Sequence, residues 1–235
     1  MTGNASAAHE KAANPMDYIF LKDFDCPVCY KTFQAYIIRQ SKLKKISVDS
    51  DSRATYQDID PTYYDVLVCG LCNYAAQMSA FNALTERQAD MIRQKGSVNI
   101  NIVAYPVPLS VGSAIERFKM ALLNTEVKGG KNSEKAFICL KMSWFYRDMR
   151  DFDNEKKYLQ VAYEQLKAAY TSERIPIGSL DENQMVYLIA ELARRAGDYN
   201  EALRWVSTLI VKKNISDSLK NRALSIKESI RELQK

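Results

Sequence analysis

"DCPVCY" at residues 25–30 and "VCGLCN" at residues 68–73 each hold two cysteines two residues apart, and 39 residues lie between Cys29 and Cys69. A C-x-x-C turn brings its two sulfurs together and points backbone N–H groups at them. Two such turns complete a tetrahedral sulfur cage, which Zn²⁺ accepts because it has no geometric preference of its own. One pair would be a weak signal; two in one β-rich segment are a strong one. Cys26, Cys29, Cys69 and Cys72 are therefore the candidate ligands, in a zinc-ribbon or rubredoxin-like arrangement whose strands bring distant knuckles together. Four thiolates close the coordination shell, so the metal is structural and the segment depends on it. Binding at such sites contributes roughly 10–16 kcal/mol of apparent free energy.

Two other chemistries fit the spacing less well. Iron in the same cage would make a rubredoxin-like redox protein. Thioredoxin-like exchange needs a single C-x-x-C opening a helix in a βαβ unit, and the order of elements here is wrong for it. After the second cysteine of a knuckle the chain tends to turn left-handed, which favours glycine. Tyr30 and Asn73 occupy those positions. Asn tolerates the conformation, whereas Tyr predicts a strained or slightly open first knuckle.

The chain has 235 residues, 47% of them hydrophobic and 26% charged, with 8 Gly and 6 Pro. That is a globular composition with room for two modules. No apolar run is long enough to span a membrane. The opening "MTGNASAAHEKAANP" lacks the basic flank and apolar centre of a secretory signal. Residues 1–17 are expected to be a disordered tail and the protein to be cytoplasmic. Thiols stay reduced in that compartment, so a disulfide framework is not expected. The fifth cysteine, Cys139 in "AFICLKMSW", reads as a small buried hydrophobe. The net charge of +5 is uneven: residues 1–112 balance 11 basic against 11 acidic residues, and residues 113–235 carry 22 against 17. A cysteine module built to grip phosphates would usually be the basic half.

Residues 18–96 read as the four-cysteine module with trailing helices. "TFQAYIIRQ", "KISVDS" and "YYDVLVC" are strand-like, and "DSDSRATYQDIDP" is a polar loop. "NYAAQMSAFNAL" changes period and predicts a helix with Ala75, Met78, Phe81 and Leu84 on one face. Thr85 and Gln88 form a capping box for a second short helix ending near Gly96. Residues 97–112 are a proline-containing connector, and residues 113–235 are helical. Ser113 and Glu116 read as a capping box, "GGKN" as a break, Gly197 as a stop and Asp198 as a restart. "RDFDNEKKYLQVAYEQL" and "AGDYNEALRWVSTLI" share an acidic turn, an aromatic, Asn-Glu and an apolar helix. Their offset of about 46 residues exceeds the 34 of a tetratricopeptide unit, the surplus fitting a longer helix and loop. The expected fold is α+β: a small β-rich zinc-ribbon or rubredoxin-like N-terminal module, then an all-α tetratricopeptide-like helical repeat domain.

The segment "CPVCYKTFQAYIIRQSKLKKISVDSDSRATYQDIDPTYYDVLVCGLCNYAA" resembles the bacterial family called domain of unknown function 2225. The matching positions include the four cysteines, Phe33, Arg39, Ser41, Lys42, Leu43, Asp49, Asp51, Arg53, Tyr56, Pro61, Tyr64, Val66, Tyr74 and Ala75. "RFKMALL" carries the likeness into the helical half. The resemblance implies the fold and the metal, and no activity.

His9 in the tail is the one histidine, which removes imidazole acid–base chemistry and His-based triads. "VKGGKNS" lacks the spacing of a phosphate loop and reads as a turn. Asp49, Asp51, Asp58 and Asp60 could gather a second cation, but the calcium-loop pattern is incomplete and Asp and Ser are ordinary turn formers. Arg53 either clamps an anion or pairs with these carboxylates to pin the loop. These features predict no enzyme, but a zinc-binding scaffold that docks a protein or peptide through its helical half, with Arg147, Arg150, Arg194 and Arg195 as candidate groove charges. The alternative is a nucleic-acid-associated regulator that uses Arg39, Lys42, Lys44, Lys45 and Arg53 beside the metal.

Overall fold

The computed structural model describes residues 14–101 and 104–234. His9 and most of the expected disordered tail lie outside the described residues. Residues Pro15–Tyr18 form a 3₁₀ turn capped by Asn14, so the ordered chain begins before position 18.

Three antiparallel hairpins come first. Strand β1 (Ile19–Asp25) pairs with β2 (Thr32–Ile38), β3 (Lys45–Val48) with β4 (Ala54–Tyr56), and β5 (Val66–Val68) with β6 (Ala75–Gln77). The expected helix over 73–84 is therefore absent. Residues 75–77 are a strand, followed by a 3₁₀ turn at Met78–Ala80. The helical spacing of Ala75, Met78 and Phe81 is overridden because the second cysteine turn closes only if the chain returns antiparallel to β5. Met78 faces outward, and Phe81 is buried. The polar loop likewise contains a strand, β4, and Pro61–Tyr64 forms a 3₁₀ turn rather than part of a strand.

The capping box of Thr85 and Gln88 is present and starts α1 (Glu86–Lys95). Helix α2 (Val111–Val127) starts earlier than expected. Ser110, not Ser113, is its cap, accepting from the Ser113 amide at 3.1 Å. The Gly-Gly break follows, with Gly129 left-handed at φ +62°, and then α3 (Asn132–Asp148), α4 (Phe152–Ser172), α5 (Glu182–Ala196), α6 (Tyr199–Ile210) and α7 (Asp217–Leu233). Each of α2 to α6 packs on the next, and α7 also returns to α5.

The recurring sequence element is the joint of two helical hairpins. Between α3 and α4, Arg150 is left-handed at φ 58° and Asp151 caps α4 through the Asn154 amide. Between α5 and α6, Gly197 is left-handed at φ 89° and Asp198 caps α6 through the Glu201 amide. An aromatic, Phe152 or Tyr199, opens the following helix in each case.

The two halves share one core. Val66 and Ala75 of the third hairpin pack with Ile115, Phe118, Ile138 and Phe145 of α2 and α3. The helical body closes around Leu159, Leu166, Met185 and Ile189 and the inner face of α7, Ile226 and Ile230. Cys139 is fully buried there, and burial pushes its thiol up to about 12, as expected of an unreactive core residue.

Candidate metal centre

The turn of the β1–β2 hairpin carries Cys26 and Cys29, and the turn of the β5–β6 hairpin carries Cys69 and Cys72. The two knuckles match residue for residue. In the first, the Cys26 amide donates to the Lys31 carbonyl at 3.1 Å and the Tyr30 amide to the Cys26 carbonyl at 2.9 Å. In the second, the Cys69 amide donates to the Tyr74 carbonyl and the Asn73 amide to the Cys69 carbonyl, both at 2.8 Å. Tyr30 at φ 60° and Asn73 at φ 61° take the left-handed conformation that glycine would otherwise supply.

The four sulfurs converge to within 4.8 Å of one another. Cys26 Sγ lies 3.7 Å from Cys72 Sγ, and Cys29 Sγ lies 3.8 Å from Cys69 Sγ. A disulfide would require about 2.05 Å. A tetrahedron with metal–sulfur bonds of about 2.3 Å has edges of about 3.8 Å. The cluster can therefore hold a metal ion, and among the described residues it is the group of ligating side chains that can. Both cross-knuckle pairs are equally close, so the first knuckle is not open. Its strain is confined to the Tyr30 backbone, and its tyrosine is used: the hydroxyl donates to the Glu86 carboxylate at 2.8 Å. Arg93 packs over the ring and donates to the Val28 carbonyl at 2.8 Å. Helix α1 is tied to the first knuckle by these contacts.

The electrostatics suit a cation. The neighbouring Cys26 and Cys72 sulfurs, with the Leu71 and Cys72 amides behind them, hold the Cys69 thiol well below its ordinary range. Its thiolate pushes Cys26 upward, and Cys26 and Cys69 push Cys72 upward. Four sulfurs this close carry several negative charges together only with a positive ion between them. The Val28 and Cys29 amides face Cys26 as the Leu71 and Cys72 amides face Cys69. Aromatic packing shields the cluster: Phe33 touches Phe24 and Phe81, and the Phe81 ring lies 4.8 Å from Tyr74, whose hydroxyl donates to the Phe81 carbonyl.

A buried polar chain links the second knuckle to the helices. Ser97 Oγ donates to the Asn73 carbonyl, the Ser97 amide donates to Asn124 Oδ1 at 2.8 Å, and Asn124 Nδ2 reaches the Ala75 carbonyl at 2.8 Å. Gly96 permits this approach, since a Cβ there would lie 2.6 Å from Asn124 Oδ1. Neither Ser97 nor Asn124 carried a signal in the sequence, because isolated Asn and Ser positions look alike whether buried or exposed.

The other candidate residues do not surround the sulfurs. Lys42, Lys44 and Lys45 are exposed, and Arg39 lies 4.7 Å from the Phe20 ring. Arg53 is buried and pairs with Asp60 and Asp148, each at 2.6 Å. Its guanidinium is therefore engaged inside the chain. Asp51 pairs with Arg147 at 2.7 Å, Asp58 accepts from the Tyr18 hydroxyl, and Asp49 faces Arg147. Asp49, Asp51 and Asp60 of the acidic loop are thus paired with the protein's own arginines. Arg194 and Arg195 both grip Glu191, while Arg150 is exposed at its turn. No described helix is long and apolar enough to cross a membrane.

Paired hairpin tips presenting four cysteines, built onto a helical body, define a protein with a four-cysteine head that can hold a metal ion. The chain belongs to the bacterial family described as "Uncharacterized protein conserved in bacteria (DUF2225)", which matches residues 19–235. It is also similar to an uncharacterized protein of Borreliella burgdorferi, at 22% identity over 175 residues. That match covers 66% of this chain and 62% of the relative, so this chain spans less than two thirds of the relative's length. No solved structure matches.

Proposed function

We propose that the protein is a zinc-binding, non-catalytic interaction scaffold of the bacterial cytoplasm. Zn²⁺ sits among Cys26, Cys29, Cys69 and Cys72 and fixes the two knuckles, and the tetratricopeptide-like helices dock a protein or peptide. The observation that carries the metal assignment is the sulfur spacing of 3.7 and 3.8 Å, near the edge of a zinc–thiolate tetrahedron. With four thiolates the chain itself fills the coordination shell, which suits a structural ion and leaves no position for substrate. The repeated helical joint at Arg150–Asp151 and Gly197–Asp198 supports the array reading of the helices. Metal analysis of protein purified under reducing conditions tests the first part. One zinc per chain is expected, lost on Cys69→Ser. One iron per chain with a thiolate-to-iron absorption band would assign the rubredoxin-like alternative instead.

The basic segment, which lies at the end of the β1–β2 hairpin opposite the cysteine turn and not beside the metal, supports a second reading. Arg39, Lys42, Lys44 and Lys45 are exposed, and none of them forms an ion pair among the described residues. A nucleic-acid role predicts binding that weakens steeply with salt and declines when these four residues become alanine. Absent or salt-independent binding of the metal-loaded protein excludes it.

A further inference from the structure

The β3–β4 turn, α5 and α7 enclose a cleft of about 440 Å³ on the side of the helical body. Its floor is built: Tyr187, Glu191 and Ile226 are at most 3% exposed. The face of α7 turned toward it reads Arg222, Ser225, Ile226 and Ser229, which is the i, i+3, i+4, i+7 pattern of one helical face. Val48 of β3, 52% exposed, forms an apolar shoulder at the rim.

Arg222 decides what such a cleft would take. Its guanidinium lies 4.2 Å from the centroid of the Tyr187 ring, and one terminal nitrogen donates to the Ser50 carbonyl at 3.3 Å. The group is thus held over the Tyr187 ring before any ligand arrives. Nearby carboxylates are engaged elsewhere. Glu191 accepts from Arg194 at 2.7 and 2.9 Å, from Arg195 at 2.6 Å and from the Ser50 hydroxyl at 2.6 Å. Asp49, at the mouth, faces Arg147 at 3.4 Å. Among the described residues no carboxylate pairs with Arg222. A planar guanidinium fixed on an aromatic face with free N–H groups is suited to bidentate binding of a carboxylate. The Ser229 hydroxyl offers a further donor, while Val48 and Ile226 offer apolar contact.

We infer that this cleft binds the free carboxylate of an apolar amino acid at a peptide C-terminus, with the carboxylate on Arg222 and the side chain against Val48 and Ile226. The inference rests on the docking reading above and assigns the chemistry of the docked segment. The test uses full-length, metal-loaded, ¹⁵N-labelled protein titrated with N-acetyl-leucine, N-acetyl-leucinamide and inorganic phosphate. Saturable amide shifts at residues 48–50 and 222–229 are expected with N-acetyl-leucine, at least tenfold weaker with the amide and at least tenfold weaker in Arg222→Met. Arg222 is exposed, so the variant should keep its far-UV spectrum and melting temperature, and Arg222→Lys should recover part of the affinity. Unsaturable shifts, equal binding of the amide or unchanged binding in Arg222→Met would overturn the inference. Phosphate binding tenfold tighter than N-acetyl-leucine would overturn the carboxylate assignment. A cleft that titrates as expected while no cellular protein partner depends on Arg222 would instead overturn the scaffold reading.

Discussion

Arg147 on α3 donates to Asp51, in the β3–β4 turn, at 2.7 Å across 96 positions of sequence. Asp51 is completely buried, and Trp144 Nε1 donates to the same oxygen at 3.1 Å. Arg195 lies 3.6 Å from it. A buried carboxylate pays for its dehydration only when its partners are all in place, so this turn is fixed to α3 and α5 rather than free. Through it the second hairpin, which shares few apolar contacts with the helices, is anchored to the body.

Removing that charge should therefore be costly. Asp51→Asn is expected to lower stability by about 3 kcal/mol, because it leaves a guanidinium without its buried partner. Urea unfolding measures the loss. Arg147→Met should cost a similar amount, and the double variant less than the sum, since the two changes remove one interaction. Additive losses would show that the pair is not coupled.

The left-handed joints give a prediction of opposite sign. Arg150 holds φ 58° where the equivalent joint has Gly197, and a non-glycine residue pays about 1 kcal/mol there. Arg150→Gly should stabilise the protein, raising Tm by roughly 2–4 °C, and Gly197→Ala should lower it by a similar amount. Arg150 makes no ion pair among the described residues, so little is lost in the exchange. A fall in Tm for Arg150→Gly would mean that its side chain contributes more than the backbone relief.

The sequence revealed those parts of the molecule that depend on local pattern. Cysteine spacing located the sulfur cluster, Thr85 with Gln88 located α1, and Gly197 with Asp198 located the α5–α6 joint, because each is set by residues within a few positions of one another. Positions 75–81 read wrongly because their helical periodicity is weaker than the demand of the second knuckle for an antiparallel return. The acidic loop showed its charges and the local Arg53–Asp60 pairing but not the distant partners: Asp51 meets Arg147, and Arg53 also meets Asp148, nearly a hundred residues away. The same distance hid the arginine cleft, whose walls come from the 48–50 turn, α5 and α7.

Metal loss should act on the front of the molecule and spare most of the helices. Chelation under reducing conditions, or Cys69→Ser, should remove the near-UV signal of the aromatic cluster around Phe33, Tyr74 and Phe81, while far-UV helicity from α3 to α7 largely persists. Cys139→Ala is the control: it should retain the full metal stoichiometry and lose about 1 kcal/mol of stability through the small cavity it leaves. Intact near-UV spectra in Cys69→Ser would mean that the hairpins hold without the ion.

Glu191 sets an acid-sensitive contact between α5 and the β3–β4 turn. Burial alone would raise its pKa, but Arg194, Ser50 and Arg195 outweigh this and hold the carboxyl below its ordinary value of 4.5. At pH values between the lowered folded value and 4.5 the unfolded chain binds the extra proton, so stability rises with pH in that window. The contribution is fully present above 4.5 and is lost as pH falls through the folded value. Urea unfolding from pH 7 down to pH 3 should show this decline, and Glu191→Gln should be less stable at pH 7 with a shallower acid slope. Parallel slopes for the two proteins would place the acid sensitivity at other carboxylates and not at this one.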